Sequence, residues 1–495
     1  MKVLLINPPY SRIRGTGMDA WFPLGLGYLA AVLIEDGFDA LIYSADNCQP
    51  GEQRPKSGMR DIFELRSQSR QACIEALANK NHLVWQEVRR TIEDVKPDLV
   101  GITALSVQYG AAVKIGQIVK EWRPDCPVVI GGHHVTYLPE ETLLGTPVFD
   151  FAVLGEGEVT LREVCRLLKE GRNPDLGKVL GVAYRKNGDV HITPPRQLCD
   201  DLNALPYPRR DIHLYPETYN KQQLGGLIYG RGCPWNCRFC SSKKFWQRRV
   251  RMRSPENCVN EIRVLINQYG IRRFMFWDDS FSVSRKGIVD FASLVIESGE
   301  RFTFTAATRA DLIDKELVEL LRRAGCTELK LGVESGSPRV LEMIQKGLDL
   351  GVLREAVKIV KAGGINLGLF FMAGLPHETM DDLNMTFDLI KELDADNVAF
   401  NIFDPMPGSD LYQETIDLGL VPEHADWAKF AFWPDASFTM EMTPEEFDKK
   451  AREMAEYIFS RNDSLKMQIK RFLPQAWHDP SSLLRKALEL IRPKS

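Results

Sequence analysis

A cysteine-rich loop directly follows the predicted strand 226–229, and its sequence is Gly230-Arg231-Gly232-Cys233-Pro234-Trp235-Asn236-Cys237-Arg238-Phe239-Cys240-Ser241-Ser242. Three cysteines within eight residues can converge on one metal centre, because thiolates are the soft ligands that zinc and iron–sulfur clusters prefer. Structural zinc usually takes four ligands as two separated pairs, and no second closely spaced pair of cysteines occurs in this chain. The loop therefore indicates an iron–sulfur cluster with one open iron, and a zinc site is the alternative.

Strand-like apolar runs alternate with helical segments around and after this loop. The predicted strands are Gly226–Tyr229, Arg273–Trp277, Phe302–Ala306, Leu329–Glu334, Ile365–Met372 and Val398–Phe403. The segments between them, such as Pro255–Gln268 and Met380–Leu393, place apolar residues at helical spacing. Six such units predict an open, partial (βα)6 barrel over residues 223–420, with its ligand face at the carboxyl ends of the strands.

The rest of the chain predicts two further domains and a linker. Residues 1–180 alternate short apolar runs with helix-length segments, which predicts a doubly wound, Rossmann-like α/β domain with a polar helical insertion at about 48–92. Residues 181–222 lose that alternation and predict a linker with a hairpin turn at Asn187-Gly188. Residues 421–495 predict a small helical C-terminal domain.

Composition and charge indicate a folded protein with no general affinity for polyanions. The 495 residues include 63 Lys plus Arg against 67 Asp plus Glu, and the net charge is −4, so nucleic acid is not expected as a partner. No apolar run reaches the roughly 20 residues that cross a bilayer, and no signal-peptide pattern is found. Seven of the ten cysteines are scattered singly, which fits a reducing compartment, and we expect a cytoplasmic protein.

The cysteine loop carries a family resemblance. A Cys-x-x-x-Cys-x-x-Cys pattern with an aromatic residue before the third cysteine, at the end of the first strand of a βα barrel, resembles the radical S-adenosylmethionine (SAM) superfamily. The resemblance implies that Cys233, Cys237 and Cys240 hold a [4Fe–4S] cluster whose open iron binds SAM. Electron transfer then cleaves the sulfonium and releases a 5′-deoxyadenosyl radical, which requires a strong reductant such as a flavodoxin or ferredoxin.

Polar residues at the other strand ends resemble patterns of the same superfamily. Carboxylates can accept hydrogen bonds from the SAM amine and ribose hydroxyls, and Arg309 can pair with a carboxylate. The alternative for each residue is a helix cap or a surface ion pair. The candidate SAM-binding residues are Phe239, Asp278, Asp279, Arg309, Glu334 and Ser335.

Two strand ends in the N-terminal domain resemble signatures of cobalamin-binding domains. Thr103-Ala104-Leu105 resembles the Ser/Thr-x-Leu signature, and Gly131-Gly132 resembles the glycine pair that lets the nucleotide tail pass close to the backbone. The resemblance implies that Thr103, Leu105, Gly131 and Gly132 bind cobalamin. The Asp-x-His-x-x-Gly signature is missing, and 7–12 stands in its place, so we expect base-off cobalamin without a histidine ligand. A domain that kept the fold and lost the cofactor is the alternative.

Basic residues are concentrated in two places. The first run contains Lys243, Lys244, Arg248, Arg249, Arg251 and Arg253, and the tail after 460 has eight basic and three acidic residues. The first run could bind cofactor carboxylates, an anionic substrate or an acidic electron donor, and its alternative is a solvated face. The tail could contact a membrane surface, but packing against the barrel is favoured.

Together these resemblances predict a cobalamin-binding radical SAM enzyme acting on a small molecule. The expected reaction is methylation of an unactivated carbon or a phosphinate phosphorus in a small-molecule or natural-product intermediate. The alternatives on the same fold are radical cyclisation, ring rearrangement or oxidation. A further alternative is a non-catalytic cobalamin or iron–sulfur sensor, against which the strand-end acids and Arg309 argue.

Overall fold

The computed structural model describes residues 1–15, 20–47, 61–171, 175–431, 433 and 437–478, with 472–478 as backbone only. Contacts group the chain into two units. The first contains the described residues within Met1–Met59, Glu64–Leu224 and Pro405–Pro434. The second contains those within Arg60–Phe63, Gly225–Asp404 and Asp435–Ser495.

The first unit is built on a seven-stranded sheet in the order β2-β1-β3-β4-β5-β6-β7. Its strands are β1 (Lys2–Asn7), β2 (Asp39–Ser44), β3 (Leu99–Thr103), β4 (Val128–Gly131), β5 (Phe151–Val153), β6 (Val182–Lys186) and β7 (Asp189–Ile192). The first five strands are parallel, and β6 and β7 add an antiparallel hairpin through the predicted turn at Asn187-Gly188. The order 2-1-3-4-5 is doubly wound, and its topological switch point, where such sheets bind ligands, lies between β1 and β3.

Helices connect these strands and bury apolar side chains. They are α1 (Leu24–Glu35), α2 (Ile62–Ala78), α3 (Leu83–Val95), α4 (Tyr109–Trp122), α5 (His133–Tyr137), α6 (Pro139–Leu144) and α7 (Gly157–Glu170). In α3, for example, Val84, Trp85, Val88 and Ile92 are buried. Helix α2 and most of α3 form the described part of the predicted insertion, and residues 48–60 lie outside the described residues.

The second unit contains a six-stranded parallel sheet in the order β15-β14-β13-β12-β11-β8. The strands after β7 are β8 (Gly226–Leu227), β9 (Gly230–Arg231), β10 (Arg251–Met252), β11 (Arg273–Phe276), β12 (Thr303–Thr308), β13 (Cys326–Glu334), β14 (Asn366–Ala373) and β15 (Asn397–Ile402). The two short strands β9 and β10 pair with each other in a separate antiparallel sheet. The predicted α/β fold, a doubly wound sheet followed by a partial barrel, is confirmed.

Most helices after α7 begin at short polar side chains that accept hydrogen bonds from the first turn. They are α8 (Ser242–Phe245), α9 (Pro255–Tyr269), α10 (Arg285–Ser298), α11 (Lys315–Arg323), α12 (Pro338–Met343), α13 (Leu350–Ala362), α14 (Met380–Leu393), α15 (Asp410–Asp417), α16 (Pro444–Asn462) and α17 (Leu465–His478). Ser254, Ser284 and Thr379 are such N-caps for α9, α10 and α14. Each cap starts its helix at a defined residue, and this fixes the loop between the preceding strand and that helix.

Helix α16 packs its apolar face against the barrel sheet. Its capping box joins Thr443 and Glu446, and Phe447 and Ala451 are buried in one cluster with Ala373 and Ile402. Residues 479–495 of the predicted basic tail lie outside the described residues. Within the described part of the chain, no helix has the length and apolarity needed to cross a membrane.

Candidate functional site

Three cysteines open onto one cavity at the carboxyl ends of the barrel strands. The cavity has a volume of about 230 Å³. Its lining includes Cys233, Trp235, Cys237, Phe239, Cys240, Ser242, Lys243, Asp279, Ser280, Ala307, Thr308, Arg309, Gly332, Glu334, Lys346 and Phe370. The structure therefore brings together the three cysteines and four of the six residues predicted to bind SAM.

The backbone at the start of the cysteine loop requires a glycine. Gly232 has φ +101°, and a Cβ there would overlap the carbonyl oxygen of Arg249. The pairing of β9 with β10 brings Arg249 this close, because Arg231 faces Arg251 in that small sheet. The loop consequently leaves the sheet in a direction that a side chain at position 232 would block.

The cysteine loop is attached to the segment 343–347 that follows α12. The Arg238 amide donates to the Ile344 carbonyl at 2.9 Å, and Asn236 Nδ2 donates to Gln345 Oε1 at 2.6 Å. The same segment contributes Lys346 to the cavity. Contacts on both sides of Cys237 thus hold its position before any cluster is bound.

The guanidinium of Arg309 forms hydrogen bonds with three other residues of the protein. Its Nε and Nη2 donate to the two carboxylate oxygens of Asp311 at 2.9 and 3.1 Å, and Nη1 and Nη2 donate to the carbonyls of Lys346 and Gly347 at 2.8 and 3.0 Å. The guanidinium also lies 4.5 Å from the centre of the Trp235 ring, in cation–π geometry. With a side chain only 7% exposed, Arg309 holds the wall of the cavity.

Glu334 and Lys346 form a second ion pair at the cavity, and Lys346 was not predicted from the sequence. Lys346 Nζ donates to Glu334 Oε1 at 2.8 Å and lies 5.8 Å from the Phe239 ring centre. Glu334 has φ +71° and sits at an irregularity in the pairing of β13 with β14, next to Gly332. A glutamate rarely adopts this left-handed conformation, and such strain accumulates at functional sites.

The other three predicted SAM-binding residues, Asp278, Asp279 and Ser335, differ in whether they reach the cavity. Asp279 lines the cavity, and its carboxylate accepts from Ser242 Oγ at 2.7 Å and from the Gly232 amide at 3.3 Å. Asp278 instead accepts from the amides of Tyr229 and Gly230, at the entry to the loop, and burial raises its pKa to about 7. Neither Asp278 nor Ser335 lines the cavity.

Ser335 is fully buried behind the strand end. Its hydroxyl contacts Thr386 Oγ1 at 3.0 Å and accepts from the Ser337 amide at 3.1 Å. These contacts connect the end of β13 with the N-cap of α12, because Ser337 is that cap. Ser335 therefore positions the backbone beside Glu334.

The chemistry of the cysteine set fits a cluster. Burial raises the pKa of all three thiols, to about 11 for Cys240, and the charges of Lys346 and Arg309 lower that of Cys237. Thiolates become the favoured form when a metal replaces the proton. Among the described residues there is no group of three or more His, Cys, Asp or Glu that could hold a metal ion. Thiols around a 230 Å³ cavity suit a larger group than an ion.

The residues of the basic run after the cysteine loop differ in their exposure to solvent. Arg251 and Arg253 are buried, and Arg253 forms an ion pair with Glu261 at 2.5 Å. Lys244, Arg248 and Arg249 are exposed, and Lys243 lines the cavity. Arg248 Nε donates to the carbonyl of Pro234, within the cysteine loop, at 2.9 Å.

The predicted cobalamin-binding residues meet at the ligand edge of the first unit. Gly132 has φ +100°, and a Cβ there would lie 2.8 Å from the Ala104 carbonyl and 3.0 Å from Thr103 Oγ1. The Ala104 amide donates to the Gly131 carbonyl at 2.9 Å. Leu105 is 48% exposed at this edge. The structure thus brings Thr103, Leu105, Gly131 and Gly132 together.

Gln108 joins this edge to the loop that follows β1. Its side-chain oxygen accepts from the Leu105 amide at 3.2 Å, and its amide nitrogen donates to the Pro8 carbonyl at 3.3 Å. The loop itself is held by Asp46 Oδ1, which accepts from the amides of Tyr10 and Ser11 at 2.7 and 2.6 Å. The switch-point side of the sheet is therefore fixed by buried polar contacts.

His133 and His134 follow the Gly131-Gly132 turn and begin helix α5. His134 is fully buried, with Nδ1 3.0 Å from Ser106 Oγ, and its ring centre lies 4.3 Å from that of Tyr109. Burial lowers the pKa of His134 to about 3. The imidazole is therefore neutral and packed in the core of the unit.

Comparisons with known proteins agree with this architecture. A model of the radical SAM superfamily matches residues 227–390, and a model of the B12 binding domain matches residues 13–165. A protein of Pyrococcus horikoshii described as an uncharacterized methyltransferase is 31% identical over 91% of each chain. The chain belongs to the radical SAM superfamily, among the members that carry an N-terminal B12-binding domain. The prediction of a cobalamin-binding radical SAM enzyme is confirmed.

Other relatives are named for different activities. The anaerobic magnesium-protoporphyrin IX monomethyl ester cyclase of Rubrivivax gelatinosus is 29% identical, covering 91% of this chain and 75% of that protein. The cytidylyl-2-hydroxyethylphosphonate methyltransferase of Streptomyces wedmorensis is 26% identical, covering 86% and 83%. Among solved structures, the radical SAM methyltransferase TsrM of Kitasatospora setae has a TM-score of 0.66 at 20% identity, covering 86% of this chain and 77% of that one. This last likeness concerns the fold.

A buried carboxyl at the end of β14 makes the stability of the second unit depend on pH. Glu378 Oε2 accepts from the amides of Gly374 and Leu375 at 2.6 and 3.3 Å, and Oε1 has no hydrogen-bond partner among the described residues. Burial raises the pKa of Glu378 to about 8. Between about pH 4.3 and 8 the folded chain therefore keeps a proton that the unfolded chain has lost.

We expect Glu378→Gln to flatten this pH dependence. In the wild type, Glu378 stabilises the fold fully below pH 4.3, and that stabilisation falls by up to about 1.4 kcal/mol per pH unit as pH rises toward 8. Glutamine keeps an oxygen for both amides and has no proton to lose. Urea unfolding at pH 5, 6.5 and 8 measures this, with Glu441→Gln, an exposed carboxyl, as the control. Equal slopes for the wild type and Glu378→Gln would contradict the assignment.

Proposed function

We propose that this chain is a cobalamin-dependent radical SAM methyltransferase that methylates an unactivated carbon or a phosphinate phosphorus of a small molecule. The observation that carries the proposal is the shared cavity of Cys233, Cys237 and Cys240 with polar strand-end residues. A cobalamin-type ligand edge in the same chain supports it, as do methyltransferases among the relatives.

The cavity residues receive distinct roles in this proposal. Cys233, Cys237 and Cys240 hold a [4Fe–4S] cluster, which supplies the electron that cleaves SAM when it is bound. The proposed SAM contacts all line the cavity, and they are Phe239, Asp279, Arg309, Glu334 and Lys346. Carboxylates and the Phe239 ring offer acceptors and an apolar surface to the amine and the adenosyl part. Asp278 and Ser335 act as positioning residues, because their contacts hold the backbone next to the cavity.

The ligand edge of the first unit is proposed to hold cobalamin through Thr103, Leu105, Gly131 and Gly132. The close approach of Gly132 to Ala104 leaves no side chain above this turn, so a nucleotide tail can pass along the backbone. His134 lies packed in the core, which supports binding of cobalamin without a histidine ligand.

A second candidate is radical cyclisation or oxidation of a small molecule. It is favoured by the cyclase of Rubrivivax gelatinosus, whose similarity covers 91% of this chain and 75% of the cyclase. Cyclisation needs the same cluster and SAM and no transferred methyl group. The consumption of SAM therefore separates the two reactions.

The methyltransferase proposal predicts two uses of SAM. One molecule donates its methyl group and leaves S-adenosylhomocysteine, and another is cleaved to 5′-deoxyadenosine. With methyl-deuterated SAM, hydroxocobalamin and the true substrate, the product should gain the labelled methyl group, measured by mass spectrometry, with the two by-products in about equal amounts. 5′-Deoxyadenosine without S-adenosylhomocysteine, and a product of unchanged carbon count, would instead indicate cyclisation or oxidation. Absence of both by-products would indicate a sensor.

The cysteine assignment predicts that Cys237→Ala loses the cluster. Anaerobically reconstituted wild type should contain about four iron atoms per chain, and Cys237→Ala should lose most of the iron absorbance and all 5′-deoxyadenosine formed with dithionite. Cys258→Ala is the matched control, because Cys258 is fully buried in α9 away from the cavity lining. If the two variants lose iron equally, the ligands have been assigned incorrectly.

We further propose that an acidic cytoplasmic flavodoxin or ferredoxin supplies the electron at the exposed basic residues beside the cysteine loop. Lys244, Arg248 and Arg249 are exposed there, and Arg248 contacts the loop itself. Opposite charges steer such encounters at low ionic strength. Lys244→Glu should lower the flavodoxin-driven rate of 5′-deoxyadenosine formation about tenfold relative to the dithionite-driven rate. Lys449→Glu, at an exposed lysine of α16, is the control, and an unchanged ratio in Lys244→Glu would contradict this docking surface.

A further inference from the structure

The inner face of the barrel sheet carries charged side chains where barrel interiors normally hold branched apolar ones. Residues two apart on a strand share a face. Gly332 of β13 lines the cavity, so Lys330 and Glu328 lie on the same face, toward the amino end of the strand. Leu329 and Leu331 alternate with them and are buried on the opposite face. The charged pair therefore faces the inside of the partial barrel.

Small residues flank Lys330 on both neighbouring strands. Lys330 pairs in register with Ala307 of β12 and Gly368 of β14. A Cβ at Gly368 would lie 2.9 Å from Lys330 Cγ and 3.3 Å from Glu328 Oε1. The lysine stem and the carboxylate thus lie over the glycine. Ala307, the register partner on the other side, lines the cavity. Lys330 therefore lies next to a residue of the cavity wall.

The Lys330 ammonium keeps its hydrogen-bond donors available. Its ion pair with Glu328 Oε2 is 3.7 Å long, which exceeds hydrogen-bond distance. Within the described part of the chain, no hydrogen bond from this ammonium is found. The contrast is Lys346, which donates to Glu334 at 2.8 Å on the same strand face. Lys330 is 24% exposed and Glu328 19%, so the pair is largely removed from solvent.

We propose that Lys330, oriented by Glu328, is a substrate-binding residue that takes an anionic group, a carboxylate or a phosphoryl group, of a small polar substrate. The inference rests on the proposed function and names what the substrate of that site carries. Two residues along a strand span about 7 Å. The anion therefore binds about 7 Å from Gly332, toward the amino end of β13. The rest of the substrate extends from there toward the cavity. A purely hydrocarbon substrate would leave the ammonium with only its 3.7 Å contact to Glu328 and no hydrogen-bond acceptor.

Ligand-observed fluorine NMR tests this with three fluorophenyl probes, of which the benzoate and the benzamide have the same shape. They are 4-fluorobenzoate, 4-fluorobenzylphosphonate and the neutral 4-fluorobenzamide, titrated into the reconstituted enzyme with SAM. We expect an anion to bind, and Lys330→Met to weaken it about 10- to 100-fold, because a charge-assisted hydrogen bond is lost. Lys330→Arg should retain most of the binding. Lys358→Met is the matched control, because Lys358 is exposed and pairs with Glu355 at a similar 3.6 Å.

Reduction of the cluster with dithionite, in a sample without SAM, locates the bound probe. A paramagnetic cluster broadens the fluorine signal of a ligand bound close to it, so broadening is expected for the anion in the wild type and Lys358→Met. Tighter binding of benzoate or of the phosphonate identifies the substrate group as a carboxylate or a phosphoryl group. Three results would overturn the subsite: no anion binding to the wild type, equal binding of the amide, or unweakened binding in Lys330→Met. Binding of the probes is measured before reduction and does not depend on the redox state of the cluster. A protein that loads no iron would contradict the proposed function, and probe binding to it would still test the role of Lys330.

Discussion

The guanidinium of Arg309 joins the separate parts of the barrel on which the cysteine cavity depends. It connects the end of β12, through Asp311, with the carbonyls of Lys346 and Gly347 and with the ring of Trp235. Four directed hydrogen bonds and one ring contact leave the side chain almost no rotamer freedom. Because Trp235 lies between the first two cysteines, the cost of ordering that loop is largely met by interactions within the protein.

Buried carboxyl groups perform a related task at two other strand ends. Asp278 accepts the amides at the entry to the cysteine loop, and Glu378 accepts the amides that follow β14. A loop that turns away from a buried parallel sheet exposes amides to a dry environment, and an unsatisfied amide there is costly. An acidic residue at a strand end can therefore contact a ligand or support the loop. In this chain Asp279 lines the cavity and Asp278 supports the loop.

The predictability of each feature depends on how local its cause is. The strands and helices followed from periodicity. The segments Pro255–Gln268 and Met380–Leu393 were predicted as helical, and α9 and α14 are observed at Pro255–Tyr269 and Met380–Leu393. The cysteines followed from spacing and ligand chemistry. The partners of Arg309 could not be predicted, because Lys346 and Gly347 are 37 and 38 residues away in sequence. Lys346 itself carried no signal, since only the fold brings its loop to Phe239. Likewise, Asp278 and Asp279 are adjacent in sequence, and only the pleat of the strand end assigns them to opposite sides.

The hairpin formed by β6 and β7 has a consequence for the behaviour of the chain in concentrated solution. A parallel sheet presents unpaired backbone at both edges, and open edges invite pairing between molecules. At one edge, Ile42 of β2 exchanges backbone hydrogen bonds with Ile212 and Leu214. At the other, the hairpin reverses direction and ends in β7, a four-residue strand on which Asp189, His191 and Ile192 are exposed. This edge is short and antiparallel, and two of its three exposed side chains are polar, so it is a poor template for strand addition between molecules.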